Sequence, residues 1–396
     1  MVIWLPDGQG ADALAEAERL RRLFRFFAAT QCRGRSLVYE TLSQGVADDD
    51  ALLRLLMRTP GEQRRPSLLF AAVNFLLTSH PDAELAAYYP VHGGRRPVDR
   101  QLVPAFAAFC AEHSEELGGL LRGGSTQTNE IRRCVILRLA LGHVSRRWPG
   151  PLALAEVGAS AGLNLLFDRY RYRVGDHDDA SAAGSPVLIS SGLRGSAPAG
   201  RLLGAIPEVT SRLGIDLNPV QLADPGQRAW LEAFIWPEDT SGLATLRGAI
   251  DFAVSAGIPP VVHGDATTDT ARLLAALPGR GPVVVFTATL LSYLDASGRS
   301  AFTAQLRETA QLRPVAWAFA EAPGFMAAAG LQAPALEGPL AQRNALCLAG
   351  VSLLSPGYRD DSLLALADPY LRWLAPARHA ADDFQWLPAS PELTQH

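Results

Sequence analysis

The sequence predicts an α/β protein in which an all-helical N-terminal domain precedes a mostly parallel sheet. Three observations carry the prediction. Residues 1–148 repeat apolar positions at helical spacing and show no strand-like alternation. At Pro149-Gly150-Pro151 the texture changes, and short apolar runs begin to alternate with helical stretches. A strand, a glycine-rich turn and a helix open this second half at Leu152–Leu166. The expected domains are therefore 1–148 and 149–396.

In the first half, Ala11–Thr30 sets Leu14, Leu20, Leu23, Phe24 and Phe27 on one side of a helix and arginines on the other. Ser36–Gln44, Asp50–Met57, Ser67–Thr78, Gln101–Arg122 and Asn129–Arg147 continue the pattern, separated by turn signals such as Thr59-Pro60-Gly61 and Gly93-Gly94. In the second half the strand candidates are Leu152–Val157, Val187–Ser190, Arg212–Asp216, Pro260–His263, Val283–Phe286 and Val315–Ala320. Between them run the helical candidates Gly162–Tyr170, Arg228–Phe234, Thr240–Ser255, Thr268–Ala276 and Ser297–Gln311. Leu346–Leu353 and Leu363–Leu366 suit a closing antiparallel pair, and the Gly-, Ser-, Ala- and Asp-rich stretch 171–211 suits an insertion.

Composition narrows the function. The chain of 396 residues is 48% hydrophobic and 19% charged, as in folded globular proteins, and its net charge of −4 offers no basic footprint for nucleic acid. It contains no lysine, which excludes Schiff-base catalysis and Walker-type phosphate binding. Cys32, Cys110, Cys134 and Cys347 lie far apart without a CxxC pair, the pattern of a reduced cytoplasmic protein. MVIWLPDGQG lacks the basic and apolar regions of a secretory signal, and Leu68–Leu77 is too short to span a membrane. The expected partner is a small-molecule substrate, with neither nucleic acid nor membrane.

The turn reads Glu156-Val157-Gly158-Ala159-Ser160-Ala161-Gly162-Leu163-Asn164. Small residues let backbone N–H groups approach a ligand at the start of a helix. One reading is the first motif of Rossmann-like S-adenosylmethionine-dependent methyltransferases: Glu156 is the acid, Gly158 and Gly162 are the outer glycines, and Ser160 replaces the middle one. The other is the G-x-S-x-G nucleophile elbow of α/β-hydrolases, with Ser160 as nucleophile and His92-Gly93-Gly94 as upstream oxyanion glycines. A hydrolase then needs a later histidine. His177 lies in the insertion, His379 and His396 lie in a polar tail, and His263 would need Asp216 as its acid.

The acids downstream favour the first reading. Asp216 ends a strand in Gly214-Ile215-Asp216-Leu217-Asn218-Pro219, where a carboxylate would meet ribose hydroxyls. The insertion places it well beyond the usual spacing of about 20 residues. Asp265 follows the third strand, where it would lie near an adenine. Either acid could instead cap a helix. The fourth strand ends in Thr287-Ala288-Thr289, without the Asn/Asp-Pro-Pro-aromatic motif of many amino- and nucleic-acid methyltransferases. Glu321 ends the fifth strand, exposed at the edge where such sheets bind ligands, as a candidate acid or base.

In the helical half, Gln127 and Glu130 of Thr126-Gln127-Thr128-Asn129-Glu130 are candidate substrate-facing groups beside Arg132, while Thr128 or Asn129 would cap the helix. Tyr88-Tyr89-Pro90 and Arg64-Arg65-Pro66 are further polar candidates. No histidine pair has metal-ligand spacing, and Asp176-His177-Asp178-Asp179 lacks a second histidine, so no metal is expected.

Together, several segments resemble an uncharacterised bacterial family, domain of unknown function twenty-three thirty-two. They are Leu37-Val38-Tyr39-Glu40, Arg65-Pro66-Ser67-Leu68-Leu69, Gln127-Thr128-Asn129-Glu130, Glu156–Leu166, Gly214-Ile215-Asp216-Leu217, Trp236-Pro237 and Gly264-Asp265. The resemblance implies a bacterial cytosolic protein and supplies no reaction. Thr287-Ala288-Thr289 stands where it leads one to expect a His-Ser pair, and Tyr370 stands where a histidine would follow Asp368-Pro369. The expectation is a methyltransferase-like enzyme with S-adenosylmethionine at Glu156, Gly158, Ser160, Gly162, Asp216 and Asp265, and with Glu321, Gln127 and Glu130 as catalytic candidates. A serine hydrolase using Ser160 and a non-catalytic metabolite binder are the alternatives.

Overall fold

The computed structural model describes residues 7–127, 130–195, 199–279, 281–331, 346–379 and 384–385. The chain falls into two units, residues 1–128 with 225–244, and residues 129–224 with 245–396. The last helix before the first strand, expected with the helical half, thus belongs to the unit that holds the sheet.

The first unit is helical. It contains α1 (Asp7–Phe27), α2 (Leu37–Ala47), α3 (Asp50–Leu56), α4 (Pro66–Leu77), α5 (Leu102–Glu112) and α6 (Ser114–Gly123). The single helix expected over 101–122 is broken at His113, which leaves helical geometry with φ −101° and ψ 25°. Leu20 and Phe24 are buried as expected, whereas Leu14 is exposed. Ser36 caps α2 by accepting the Tyr39 N–H, and Pro66 opens α4 where its missing N–H is harmless. The helix Pro225–Glu232 and the turn after it complete the core. Trp236 packs on Tyr39 and Phe27, and Tyr39 stacks on Phe70 at 4.5 Å. Asn74 donates to the Ala233 and Ile235 carbonyls, and the Glu238 carboxylate accepts from Ser36 Oγ and the Val38 N–H. Leu37–Glu40, Arg65–Leu69 and Trp236-Pro237, three of the segments that carry the family resemblance, therefore meet in one core.

The second unit runs through α7 (Cys134–Arg147), β1 (Leu152–Val157), β2 (Arg171–Val174), β3 (His177–Asp179), β4 (Leu188–Leu193), α8 (Ala199–Leu203) and β5 (Val209–Asp216). After the helix Pro225–Glu232, here α9, come α10 (Thr240–Ala256), β6 (Val261–His263), α11 (Thr270–Ala275), β7 (Val283–Ala288), α12 (Ala296–Ala310) and β8 (Val315–Glu321). The strands β9 (Cys347–Ser355), β10 (Tyr358–Ala367) and β11 (Trp373–Pro376) follow. The sheet has eleven strands in the order β3-β2-β4-β11-β10-β9-β8-β7-β1-β5-β6. The strands β6, β5, β1, β7 and β8, running in from one edge, are all parallel, and β9 and β10 follow antiparallel, as the sequence suggests. The stretch 171–211 is not a looped-out insertion: β2, β3 and β4 extend the sheet beyond β11.

Strand alternation sorts the two faces. Ala153, Ala155, Val157, Val283, Val285, Val315, Trp317 and Phe319 form one core with Leu274 of α11 and Phe302 and Leu306 of α12. The small residues Ala316, Ala318 and Ala320 turn to the opposite face, and α7 packs against β8 and β9. One glycine sets how closely α7 meets α8. A Cβ on Gly142 would stand 1.9 Å from the Leu203 carbonyl oxygen. Gly142→Ala is therefore expected to lower stability by roughly 1–3 kcal/mol through overpacking against rigid backbone. A urea midpoint unchanged from the parent would show that α8 yields freely.

Candidate functional site

The sheet order changes direction at β1, because β5 and β6 lie on one side of it and β7 and β8 on the other. In open α/β sheets the carboxyl ends at such a point form the ligand crevice. The turn after β1 occupies that place. Gly158, Ser160 and Gly162 all adopt positive φ, of 80°, 52° and 70°. Glycine takes these angles without strain, whereas serine holds them only because the surroundings impose them.

Those surroundings are β5 and the loop beyond it. The Gly158 and Ala159 N–H groups both donate to the Ile215 carbonyl, and the Val220 N–H donates to the Ser160 carbonyl. The Asp216 carboxylate accepts the Ser160 N–H at 2.7 Å and the Asn218 N–H at 2.8 Å. Asp216 thus builds the turn, and a ligand would meet only its remaining lone pairs. A Cβ on Gly162 would stand 2.7 Å from Val261, so this glycine serves packing, while the position above Gly158 is open to an ordinary contact with Leu290 at 3.4 Å. Asp265 closes its own turn, accepting both the N–H and the hydroxyl of Thr267 on one oxygen, and its own N–H donates to Asp269. Asp265 does not cap the following helix, whose N-cap position is Asp269.

Glu156 is buried at 3% exposure. Its Oε1 accepts the Asn164 amide at 2.7 Å, and Cys134 Sγ contacts Asn164 Oδ1 at 3.1 Å. Its Oε2 is buried without a hydrogen-bond partner, as is Ser160 Oγ. Burial pushes the Glu156 carboxyl up to about 8, against the Asn164 hydrogen bond and the charge of Arg133, which favour ionisation.

Glu321 corrects the expectation of an exposed edge carboxylate. It is 0% exposed. The turn Leu290–Ser292 covers it, with the Leu290 and Leu291 N–H groups donating to its two oxygens at 3.1 and 3.2 Å. Thr289, at φ 59°, bends the chain into that turn. Burial also raises the Glu321 carboxyl to about 8, opposed by hydrogen bonds from Thr287 and the turn and by Arg133. Thr287, where the resemblance leads one to expect part of a His-Ser pair, is buried and accepts the Trp317 indole N–H. Tyr370, the other departure, donates its N–H to Asp368, which pairs with Arg372.

The structure thus gathers Glu156, Gly158, Ser160 and Gly162 with Asp216 at the β1 crevice and adds Glu321 through a shared cation. The sequence reading passed over Arg133 and Asn164. Arg133 is 7% exposed, its guanidinium donates to the Ala288 carbonyl at 3.4 Å, and its charge acts on both buried carboxyls. An arginine leading into the apolar run of α7 was the available signal. Glu130 caps the turn Ile131–Arg133, accepting the Arg132 N–H at 3.0 Å. Gln127, in the first unit, is buried with its amide donating to Ser125 Oγ at 3.3 Å. Thr128, Asn129 and His396 lie outside the described residues.

The hydrolase pattern finds no base, since Ser160 Oγ has no partner among the described residues. His92 binds Asn74 Oδ1 at 2.7 Å, and the His177 hairpin spends Asp178 on Arg173 and Asp179 on Arg138. Tyr88 and Tyr89 are core residues, and Arg64 pairs with Glu16. His80, His113 and Glu116, which no sequence spacing links, come together in the first unit with ligand atoms within 4.8 Å of one another. No helix among the described residues is long and apolar enough to cross a membrane.

Among solved structures the chain is similar to a possible exported protein from Bordetella parapertussis, with 15% identity over 80% of this chain and 74% of that one and a TM-score of 0.23. A superposition that weak carries no functional argument. No curated protein matches the chain. Residues 21–375 match the family described as an uncharacterized protein conserved in bacteria, DUF2332, and the chain belongs to that family.

Proposed function

We propose that the chain is an S-adenosylmethionine-dependent methyltransferase acting on a small molecule in the cytoplasm. The observation that carries this reading is Glu156, a buried carboxyl with one unpartnered oxygen beside a positive-φ turn at the switch point of the sheet. The parallel order β6-β5-β1-β7-β8 is consistent with it, because it is the order of the first five strands of a doubly wound Rossmann sheet, with the switch point at β1. The residues present fit the donor in part. Glu156 Oε2 suits an ammonium, Ser160 Oγ suits a polar edge, and the open side of Gly158 suits close approach. Asp216 can offer lone pairs to ribose hydroxyls, whereas Asp265 is committed to its own turn.

The donor, when bound, supplies an electrophilic methyl group. The chain holds it in place and excludes water, so that positioning carries most of the rate. Glu321, covered by the turn Leu290–Ser292 with both oxygens held by backbone N–H groups, would shape the floor of the crevice rather than exchange a proton with the acceptor. Four free, buried cysteines support the cytoplasmic setting.

Calorimetry with S-adenosylmethionine and S-adenosylhomocysteine tests the reading. Saturable binding of both is expected, weakened about 10- to 100-fold in Glu156→Gln by loss of a charge-assisted contact. Absence of heat at millimolar ligand would overturn it. Fluorophosphonate labelling that disappears in Ser160→Ala would transfer the site to hydrolase chemistry.

A further inference from the structure

We infer that His80, His113 and Glu116 form a binding site for a divalent first-row transition ion, zinc by preference, in the helical unit. His80 lies just beyond α4, His113 stands at the break between α5 and α6, and Glu116 lies in the first turn of α6. One ligand atom from each lies within 4.8 Å of the others. Two imidazoles with one carboxylate form a nitrogen and oxygen donor set that suits zinc, and solvent completes a tetrahedron.

The geometry is close to that of a loaded site. Zinc bonds of about 2.1 Å at tetrahedral angles place donor atoms about 3.4 Å apart. His113 Nδ1 and Glu116 Oε1 already stand 3.1 Å apart, and the two imidazole centroids are 4.2 Å apart. Glu116, with its side chain 58% exposed, has room to turn toward the two rings.

The backbones that carry the rings are held by other contacts. The His80 N–H donates to Leu77 O, and its carbonyl accepts the Ala83 N–H. The His113 N–H donates to Phe109 O, its carbonyl accepts the Leu117 N–H, and the Phe109 ring lies 4.5 Å from the imidazole. A nearby cation is already engaged: Arg58 donates to Ser114 O and pairs with Glu115. The break at His113 thereby acquires a purpose, since a continuous helix would give this imidazole a different direction.

The test uses the full chain after chelator treatment, titrated with Zn2+ against a chromophoric competitor and with Co2+ for its visible absorption. One equivalent should bind, with a tetrahedral Co2+ spectrum. Glu116→Gln, a surface change compatible with folding, should weaken Zn2+ by about 10-fold or more, and the His80→Ala, His113→Ala double variant by on the order of 100-fold. Zn2+ should also raise the thermal midpoint of the parent and not that of the double variant. Binding weaker than about 0.1 mM would overturn the assignment. So would tight binding unchanged in Glu116→Gln, which would take the carboxylate out of the donor set, or unchanged in the double variant, which would place the ion elsewhere in the chain.

Discussion

Glu156→Gln should make the protein more stable at pH 7–8 by on the order of 3 kcal/mol while weakening the ligand site. The carboxyl has its ordinary value at 4.5 and is pushed to about 8 in the folded chain, first of all by burial. Between those values the folded state keeps a proton that the unfolded chain has released, so stability falls as pH rises through this window. Each unit of separation is worth about 1.4 kcal/mol, which gives roughly 3 kcal/mol at pH 7. Glutamine stays neutral, can still accept the Asn164 amide at Oε1, and removes this slope. The measurement is the urea midpoint of both proteins from pH 5 to 9. The two curves should coincide near pH 5 and separate steadily above it. Parallel curves would show that Glu156 does not hold its proton in the folded state.

The same carboxyl makes binding report on protonation. An ammonium group on Glu156 Oε2 favours the charged form, so ligand binding at pH 7 should release close to one proton. The binding heat would then depend on the ionisation enthalpy of the buffer. Glu321 behaves differently on substitution. Its two oxygens accept from two backbone N–H groups, and the amide end of a glutamine would face one of those donors. Destabilisation by Glu321→Gln beside stabilisation by Glu156→Gln would separate a carboxyl built into the fold from one left with an open oxygen.

Much of this site was legible in sequence because it is local. Pro151 and Gly158 bound a six-residue run that is apolar but for Glu156, so β1 is read to the residue, and its glycine turn follows directly. Glu321 was misjudged because its burial comes from Leu290 and Leu291, about thirty residues earlier, and no local pattern records that cover. Asp216 looked like a ligand acid, yet its nearest donor is the turn it supports. The strands β2 and β3 escaped notice because Arg171–Val174 and His177–Asp179 are rich in charge; only Tyr172 and Val174 turn inward. His80 and His113 escaped because spacing rules detect ligands on one element, whereas these come from two.

Arg138→Leu should cost about 3–5 kcal/mol, the loss typical of a buried ion pair broken on one side. Arg138 lies in the apolar run of α7 with its side chain 3% exposed. It pairs with Asp179 at 2.8 Å and donates to the Leu203 and Gly204 carbonyls, so one guanidinium joins α7 to the β2–β3 hairpin and to the turn after α8. Leucine supplies comparable apolar bulk but leaves two carbonyls without their donor and Asp179 without its cation. Adding Asp179→Asn to Arg138→Leu should restore part of the loss, because it removes the stranded charge. Hydrogen exchange would localise the effect: amides of β2, β3 and β4 should open before those of β1 and β7. A loss under 1 kcal/mol, or uniform exchange, would mean that the outer strands hold to the sheet without this arginine. With the expected result, the stretch 171–211 is tied to α7, and the helix that begins directly after Arg133 is also the one anchored by the added strands.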